Sequence, residues 1–284
     1  MSKCLVVIPA YNEATRFNSS AYEIFARHLK ANSSEIGFLF VDDGSTDQTY
    51  NILAEFCTKA PDHFSIVRLE KNGGKAEAVR RGMLIALNKD AEFTGYLDAD
   101  LATPLTTVES LYQELVKNPS VVLVMGSRVK LLGRDIERKA YRHYIGRVFA
   151  SFASLSLDLA VYDTQCGAKL FRSSKELQEV FTKEFMSRWI FDVEILARMS
   201  GVFGKLDNMV IEYPLRQWHE IQGSKLRLRD FLKAALERYF IWSTYSRFPK
   251  RWLQATWFPN PRHRAQGPHA SPASMRKVMS RNLR

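Results

Sequence analysis

Asp98 and Asp100 stand on either side of one small residue, at the end of a short apolar run over residues 93–97. In an extended chain residues i and i+2 point to the same side, so the two carboxylates can face one ligand together. The chemistry open to such a pair is the sharing of a divalent cation. Mg²⁺ and Mn²⁺ favour carboxylate oxygens and take their remaining ligands from water and substrate phosphates, so two acids suffice where a nucleotide brings the rest. An Asp-x-Asp by itself also occurs in ordinary surface loops and needs support from elsewhere in the chain. Three further sets give it: Glu13 after Pro9 and Tyr11, the pair Asp42 and Asp43 ahead of Gly44 and Ser45, and Lys75 after Asn72-Gly73-Gly74.

These groups need a scaffold that ends several strands at one edge. Residues 4–8 are apolar, β-branched and unalternating, as expected of a parallel strand covered on both faces and stopped at Pro9. Residues 38–41, 66–69, 93–97 and 121–125 read as four more strands. Helical stretches fall between them: one near 21–31, one through Phe56 capped by Ser45 or Thr46, one opened by Asn72-Gly73-Gly74-Lys75, and one capped by Thr103 with Pro104 in its first turn. The alternation predicts an α/β fold, a Rossmann-like, mostly parallel sheet with helices on both faces and right-handed crossovers. In open sheets of this kind ligands bind beyond the carboxyl ends of the strands, where Glu13, Asp42, Asp43, Lys75, Asp98 and Asp100 all fall. An acid or glycine at one strand end is ordinarily a solvated turn residue. Four successive strands delivering polar groups to one edge point to a nucleotide site.

The 284 residues, 46% of them hydrophobic, can bury the core of one large domain with an appendage. No stretch reaches the roughly 18 consecutive apolar residues of a membrane span, the longest uncharged candidate being residues 148–157. The N-terminus does not have the pattern of a secretory signal, so a cytosolic location is expected. Cys4, Cys57 and Cys166 are odd in number and widely spaced, which argues against a disulfide framework or a zinc site and for reduced thiols. Charge is uneven. Residues 1–125 hold 12 Lys and Arg against 16 Asp and Glu, a net −4, so the remainder carries +15 of the overall +11. A basic second half suggests a polyanionic partner, nucleic acid or an anionic membrane surface, and net charge alone does not choose between them. No recognisable nucleic-acid-binding motif is present, and nucleic acid is not expected as a partner.

Pro9-Ala10-Tyr11-Asn12-Glu13, Asp42-Asp43-Gly44-Ser45, Asn72-Gly73-Gly74-Lys75 and Asp98-Ala99-Asp100 together resemble the family-2 glycosyltransferases, whose GT-A fold binds a nucleotide sugar. The resemblance implies that Pro9, Tyr11, Glu13, Asp42, Asp43 and Lys75 bind the donor, and that Asp98 and Asp100 hold Mg²⁺ or Mn²⁺ on its diphosphate. In the second half, Gly126-Ser127-Arg128, residues 163–171, Phe191-Asp192-Val193-Glu194 and residues 218–225 are similar to the dolichyl-phosphate β-glucosyltransferases and their polyprenyl-phosphate relatives. This likeness covers about residues 4–240. Many of those enzymes carry an N-terminal anchor or C-terminal spans, and neither is expected here.

What the resemblance implies is an inverting, metal-dependent transfer of a hexose, glucose from UDP-glucose being favoured, onto a polyprenyl or dolichyl phosphate. The alternatives are GDP-mannose as donor, a soluble saccharide as acceptor, or, in a different class, a basic nucleic-acid-binding protein. A phosphate monoester loses its second proton near a pKa of about 6, so the nucleophile is already ionised and needs cationic positioning groups more than a strong base. Arg128, Arg138, Arg142 and Lys169 are candidates, with Gln165, Ser224 and Lys225 beside them. Arg138 and Arg142, spaced i to i+4, also suit a solvated helix face. Lys169, beside Leu170-Phe171, also suits a structural place in a strand, and the resemblance tips it towards catalysis. Asp192 and Glu194 are either helix N-terminal acids or a ligand or base for sugar hydroxyls, the second being favoured.

Residues 141–160 read as a helix with arginines early and Phe149, Phe152 and Leu155 later, fit either for a membrane interface or for a core-facing position. Residues 231–257 put Trp242, Trp252 and Tyr245 beside Arg247 and Lys250, which favours the interface. The expected organisation is a catalytic domain over 1–228, divided into a nucleotide-sugar half (1–125) and an acceptor half (126–228), an amphipathic region over 229–258, and a disordered basic tail over 259–284. The protein is expected to sit peripherally on the cytoplasmic face of a membrane.

Overall fold

The apolar runs become the strands of one sheet. The computed structural model describes residues 2–137, 154, 159–188, 190–220 and 244. Its elements are β1 (Cys4–Ala10), α1 (Ser19–Ala31), β2 (Ile36–Asp42), α2 (Thr49–Lys59), β3 (Phe64–Arg68), α3 (Lys75–Leu87), β4 (Phe93–Leu97), α4 (Thr107–Lys117), β5 (Leu123–Ser127), β6 (Asp135–Glu137), β7 (Ala168–Arg172), α5 (Lys175–Thr182), α6 (Phe191–Phe203), β8 (Val210–Pro214) and β9 (Gln217–His219). All of them belong to one unit, Met1–Ser246.

Seven strands form the main sheet in the order β3-β2-β1-β4-β7-β5-β8. β1 to β4 run parallel to one another, and β5 runs parallel to β8. β7 is antiparallel to both β4 and β5. One reversed strand between them leaves β4 and β5 pointing the same way, so the loops after β1, β2, β3, β4, β5 and β8 all leave from one edge. The loops from β5 and β8 feed the separate parallel pair β6–β9.

Alternate residues of each central strand serve opposite faces, as the pleat requires. Val6, Ile8, Phe38 and Phe40 pack with Tyr22, Phe25, Phe56 and Leu111 from α1, α2 and α4. Leu5, Val7, Leu39 and Val41 pack with Val79, Met83, Phe181 and Ile195 from α3, α5 and α6. Because both faces are covered, the strands had to be apolar without alternation.

Two local expectations are corrected. Neither Ser45 nor Thr46 caps α2; Asp47 accepts the Thr49 N–H at 3.0 Å instead, because Ser45 and Thr46 are bonded to Asn12. α4 starts at Thr107, and Pro104 lies in a preceding turn that accepts the Thr107 N–H at 2.9 Å. The division at 125/126 between donor and acceptor halves runs through the middle of β5, so one continuous sheet carries both. The divisions expected at 228/229 and 258/259, most of the 141–160 stretch, the 231–257 region apart from residue 244, and the 259–284 tail lie outside the described residues. Among the described residues no helix is long and apolar enough to cross a membrane.

Candidate active site

The loops at the carboxyl edge are joined one to the next. After β1, Asn12 takes a left-handed φ of 51°, so its N–H reaches Ser45 Oγ at 3.0 Å while its Oδ1 accepts the Thr46 N–H at 3.0 Å. The Glu13 N–H reaches Thr49 Oγ1 at 2.7 Å, and the loops after β1 and β2 become one platform. Asp43 then ties this platform to the loop after β3, accepting the N–H groups of Gly73 at 2.8 Å and Gly74 at 2.7 Å and the Asn72 amide at 3.0 Å. Gly74, with φ of 87°, turns the chain into α3 where a side chain would be strained. Lys75 follows at the first turn and puts its ammonium 2.6 Å from Asp98 Oδ1, on the loop after β4.

Asp98 is fixed from the other side by β7. Its N–H donates to Gly167 O at 3.0 Å, and a Cβ on Gly167 would overlap the Asp98 carboxylate. Only glycine permits that approach. The 164–167 loop is in turn held by Lys169, fully buried at 1% exposure, whose ammonium donates to Thr164 O, Cys166 O and Asp192 Oδ1. Asp192 also accepts the Tyr96 hydroxyl at 2.6 Å.

Electrostatics at this edge are those of crowded acids facing one lysine. Desolvation in the cleft and the Asp98 charge raise the Asp100 carboxyl above the usual range, although its Oδ1 accepts the Ala102 N–H at 3.0 Å. Burial likewise raises Glu13, with Asp100 contributing, against the opposing pull of Arg16. Burial raises Asp43 despite its glycine N–H donors. Burial would lower Lys75, but Asp98 and Asp192 outweigh it and hold the ammonium above its ordinary value. Asp98 and Asp100 fit a divalent cation: both are hard oxygen donors, and their mutual repulsion is what a 2+ charge would relieve.

Residues 5–177 match the family described as glycosyl transferase family 2. The chain belongs to glycosyl transferase family 2. The dolichyl-phosphate beta-glucosyltransferase of Dictyostelium discoideum is 32% identical over 231 residues, 78% of this chain and 68% of that one. The human enzyme of the same name is also 32% identical, with the same coverage, and that of Saccharomyces cerevisiae is 30% identical over 84% of this chain and 74% of its own. Among solved structures, a glucosyl-3-phosphoglycerate synthase from Mycobacterium tuberculosis, in complex with Mn²⁺, UDP and glucosyl-3-phosphoglycerate, has a TM-score of 0.55 at 18% identity, over 87% of this chain and 80% of that one. The mannosyltransferase PcManGT from Pyrobaculum calidifontis, in complex with GDP-Man and Mn²⁺, has a TM-score of 0.55 at 18% identity, over 85% and 63%. The fold is therefore GT-A, and the protein is a glycosyltransferase.

In this family-2 glycosyltransferase the expected site residues separate into those that face the cleft and those that build it. Pro9 is half-buried at the end of β1, Tyr11 is 41% exposed and Glu13 half-buried beside it, so all three border the platform. Asp42 does not: it is fully enclosed, accepts the Ser45 N–H and pairs with Arg68 at 3.2 Å. Asp43, at 2% exposure, spends its oxygens on the Asn72-Gly73-Gly74 loop. Both brace the site rather than present a free carboxylate to the nucleoside. Lys169 is likewise enclosed, its ammonium shared among Asp192, Thr164 and Cys166, and Asp192 gives its Oδ1 to both Lys169 and Tyr96. Glu194 is corrected outright. At 0% exposure it accepts from Arg198 at 2.7 Å and from the N–H groups of Met186 and Ser187, leaving it no reach to a sugar.

Arg128 lies at the same edge, just past β5, but is bound at both ends to Asp163, with two 2.7 Å bonds, and stacks 5.3 Å from the Trp218 ring. Burial opposes its charge, and Asp163 more than restores it. Asp163 is itself held by Glu212 of β8 through its N–H at 2.7 Å. Gln165 follows on the same loop, and its buried Nε2 has no hydrogen-bond partner among the described residues. Arg138, Arg142, Ser224 and Lys225 lie outside the described residues. Sequence reasoning did not single out Gly167, Asp163 or Arg188, whose side chain runs past Gly74, 3.8 Å from where a Cβ there would stand. The small residues Cys166-Gly167-Ala168 entering a strand were the available sign of a close backbone approach.

Proposed function

We propose that the protein transfers a hexose, glucose from UDP-glucose being favoured, onto a dolichyl or polyprenyl phosphate, with inversion, while seated peripherally on the cytoplasmic face of a membrane. The observation that carries this is the joined edge of Lys75, Asp98 and Asp100 in a chain about 30% identical to enzymes named dolichyl-phosphate beta-glucosyltransferase. On the donor side, Tyr11 and Glu13 flank the nucleoside, and Lys75, at the positive end of α3, draws the diphosphate. Asp98 and Asp100 would hold Mg²⁺ or Mn²⁺, which when bound supplies Lewis-acid neutralisation of charge on the diphosphate.

On the acceptor side, a phosphate monoester is ionised at neutral pH, its second pKa being about 6. The reaction therefore asks the protein for orientation and charge rather than for a strong base, in keeping with an Asp192 whose Oδ1 is shared between Lys169 and Tyr96. Gln165 Nε2 is a donor without a partner among the described residues, and Arg128 a positive charge fixed on Asp163 of the same loop. Arg138, Arg142, Ser224 and Lys225 complete the proposed acceptor set. Incubating purified protein with Mn²⁺ or Mg²⁺, labelled UDP-glucose or GDP-mannose, and dolichyl phosphate or a soluble saccharide is the test. Label from UDP-glucose should move into the lipid extract and be lost in Asp100→Ala; no lipid-extractable label from either donor would overturn the acceptor assignment, and an active Asp100→Ala the metal role.

A further inference from the structure

Between α5 and α6 the chain passes Gly74 at the start of α3, and two buried charges hold it there. Glu194, fully enclosed on α6, accepts the N–H groups of Met186 at 2.9 Å and Ser187 at 3.3 Å, and Ser187 Oγ accepts the Ile190 N–H at 2.8 Å. Arg198, one turn further along α6, bonds Glu194 Oε1 at 2.7 Å and donates to the carbonyls of Val180, Lys183 and Glu184. From the other side, Arg80 of α3 donates to the carbonyls of Phe181 and Thr182 at 3.3 and 3.0 Å. A buried ion pair contributes little net stability by itself. Here its bonds go to the connecting backbone and fix it, relative to α3, on either side of Arg188.

Arg188 is what this segment brings to the edge of the sheet. Its Cδ lies 3.8 Å from where a Cβ on Gly74 would stand, and among the described residues no other heavy atom beyond the chain neighbours of Gly74 comes within 4 Å of that point. The side chain is exposed and has no hydrogen bond or ion pair among the described residues. Three other cations around the cleft are committed: Lys75 to Asp98, Arg16 to Glu13 and Lys169 to Asp192. No side chain caps α3, whose N-cap is Gly74, so its first turn can offer N–H groups to an anion. A free surface arginine ordinarily contributes little; this one is carried by a buried network to the residue that precedes Lys75.

We propose that the Arg188 guanidinium binds the diphosphate of the donor as a second cation beside Lys75, with Glu194 and Arg198 as the positioning residues behind it. The inference rests on the donor reading, which puts the diphosphate at the start of α3, and it names a residue that reading leaves out. Lys75 is a divided charge, since Asp98 holds its ammonium at 2.6 Å. A guanidinium presents parallel N–H donors that match two phosphate oxygens. As the acceptor oxygen bonds to the anomeric carbon, the bond from that carbon to the β-phosphate oxygen breaks and leaves its electron pair on the oxygen. The nucleoside diphosphate then carries one more negative charge, which Arg188 meets.

The test is nucleotide binding by the full chain with Mn²⁺ present, comparing the parent with Arg188→Ala, Arg188→Gln and Arg188→Lys. Because the side chain bonds no described residue, each variant should keep the parent's circular dichroism and thermal unfolding. Calorimetric affinity for UDP should fall roughly tenfold or more in Arg188→Ala and Arg188→Gln, and less in Arg188→Lys, which keeps the charge and loses the fork. Uridine, measured as a competitor of UDP, should bind the variants as it binds the parent. Equal losses for uridine and UDP would make Arg188 a support of the loop and overturn the proposal, as would UDP affinity in Arg188→Ala within about twofold of the parent. If the parent takes GDP instead, the same comparison is made with GDP and guanosine. A parent that binds neither nucleoside diphosphate would overturn the donor reading together with this inference, whereas undiminished binding by Arg188→Ala overturns the inference alone. No acceptor enters the measurement, so failure of the lipid-phosphate reading leaves the assignment of Arg188 standing.

Discussion

Lys169→Met separates a residue that builds the site from one that acts in it. Lys169 is 1% exposed, and its ammonium is spent on Asp192 and on the carbonyls of Thr164 and Cys166. Methionine keeps the bulk and removes the charge. Breaking a buried pair by deleting one partner costs about 3–5 kcal/mol, because the other charge is stranded. Each carbonyl that loses its donor adds about 1 kcal/mol. Asp192 keeps the Tyr96 hydroxyl, which offsets part of this, so a net loss of about 3–5 kcal/mol is expected out of a total stability of about 5–15 kcal/mol. Asp192→Asn, milder because Tyr96 and Lys169 retain an acceptor, should cost less, and the double variant should cost less than the two singles together. Urea unfolding followed by circular dichroism gives these energies. In parallel, the folded fraction of each variant should lose turnover through displacement of Gly167 and Asp98. A Lys169→Met protein as stable as the parent to within about 1 kcal/mol, yet inactive with unchanged nucleotide binding, would refute the structural role and return Lys169 to the chemistry.

Two further outcomes follow from the same contacts. Gly167→Ala, which sets a methyl group against the Asp98 carboxylate, should cost about 1–3 kcal/mol of overpacking and weaken Mn²⁺-dependent UDP binding roughly tenfold by calorimetry; unchanged Mn²⁺ dependence would remove Gly167 from the site. Burial pushes the Cys57 and Cys166 thiols up to about 11 and Cys4 higher still. Because the reactive thiolate is scarce far below such values, the native protein should give almost no reaction with DTNB at neutral pH, and all three cysteines should titrate in urea; a fast native thiol would contradict the burial.

The carboxyl-edge pattern was legible because it is local: an unalternating apolar run and the polar residues that stop it are adjacent in the chain, and parallel strands bring successive stops to one edge. That is why Glu13, Lys75, Asp98 and Asp100 could be placed before any coordinates. The same reasoning could not tell that Asp42, Asp43, Lys169, Asp192 and Glu194 are all enclosed. A charged residue beside a functional motif looks alike in sequence whether its oxygens meet a ligand or a neighbouring loop, and the partners that decide are distant: Gly73 is 30 residues from Asp43, and Lys169 is 23 from Asp192.

By itself, then, the sequence determined the α/β class, the basic second half and the acids at the strand ends, all of which follow from periodicity and adjacent residue types. Tertiary structure decided the reversed β7 between β4 and β5, which brings Gly167 against Asp98, and it enclosed Lys169 and Glu194 among distant partners. Both are matters of which distant surfaces meet, and burial across the sheet is not encoded in the spacing of residues along one strand.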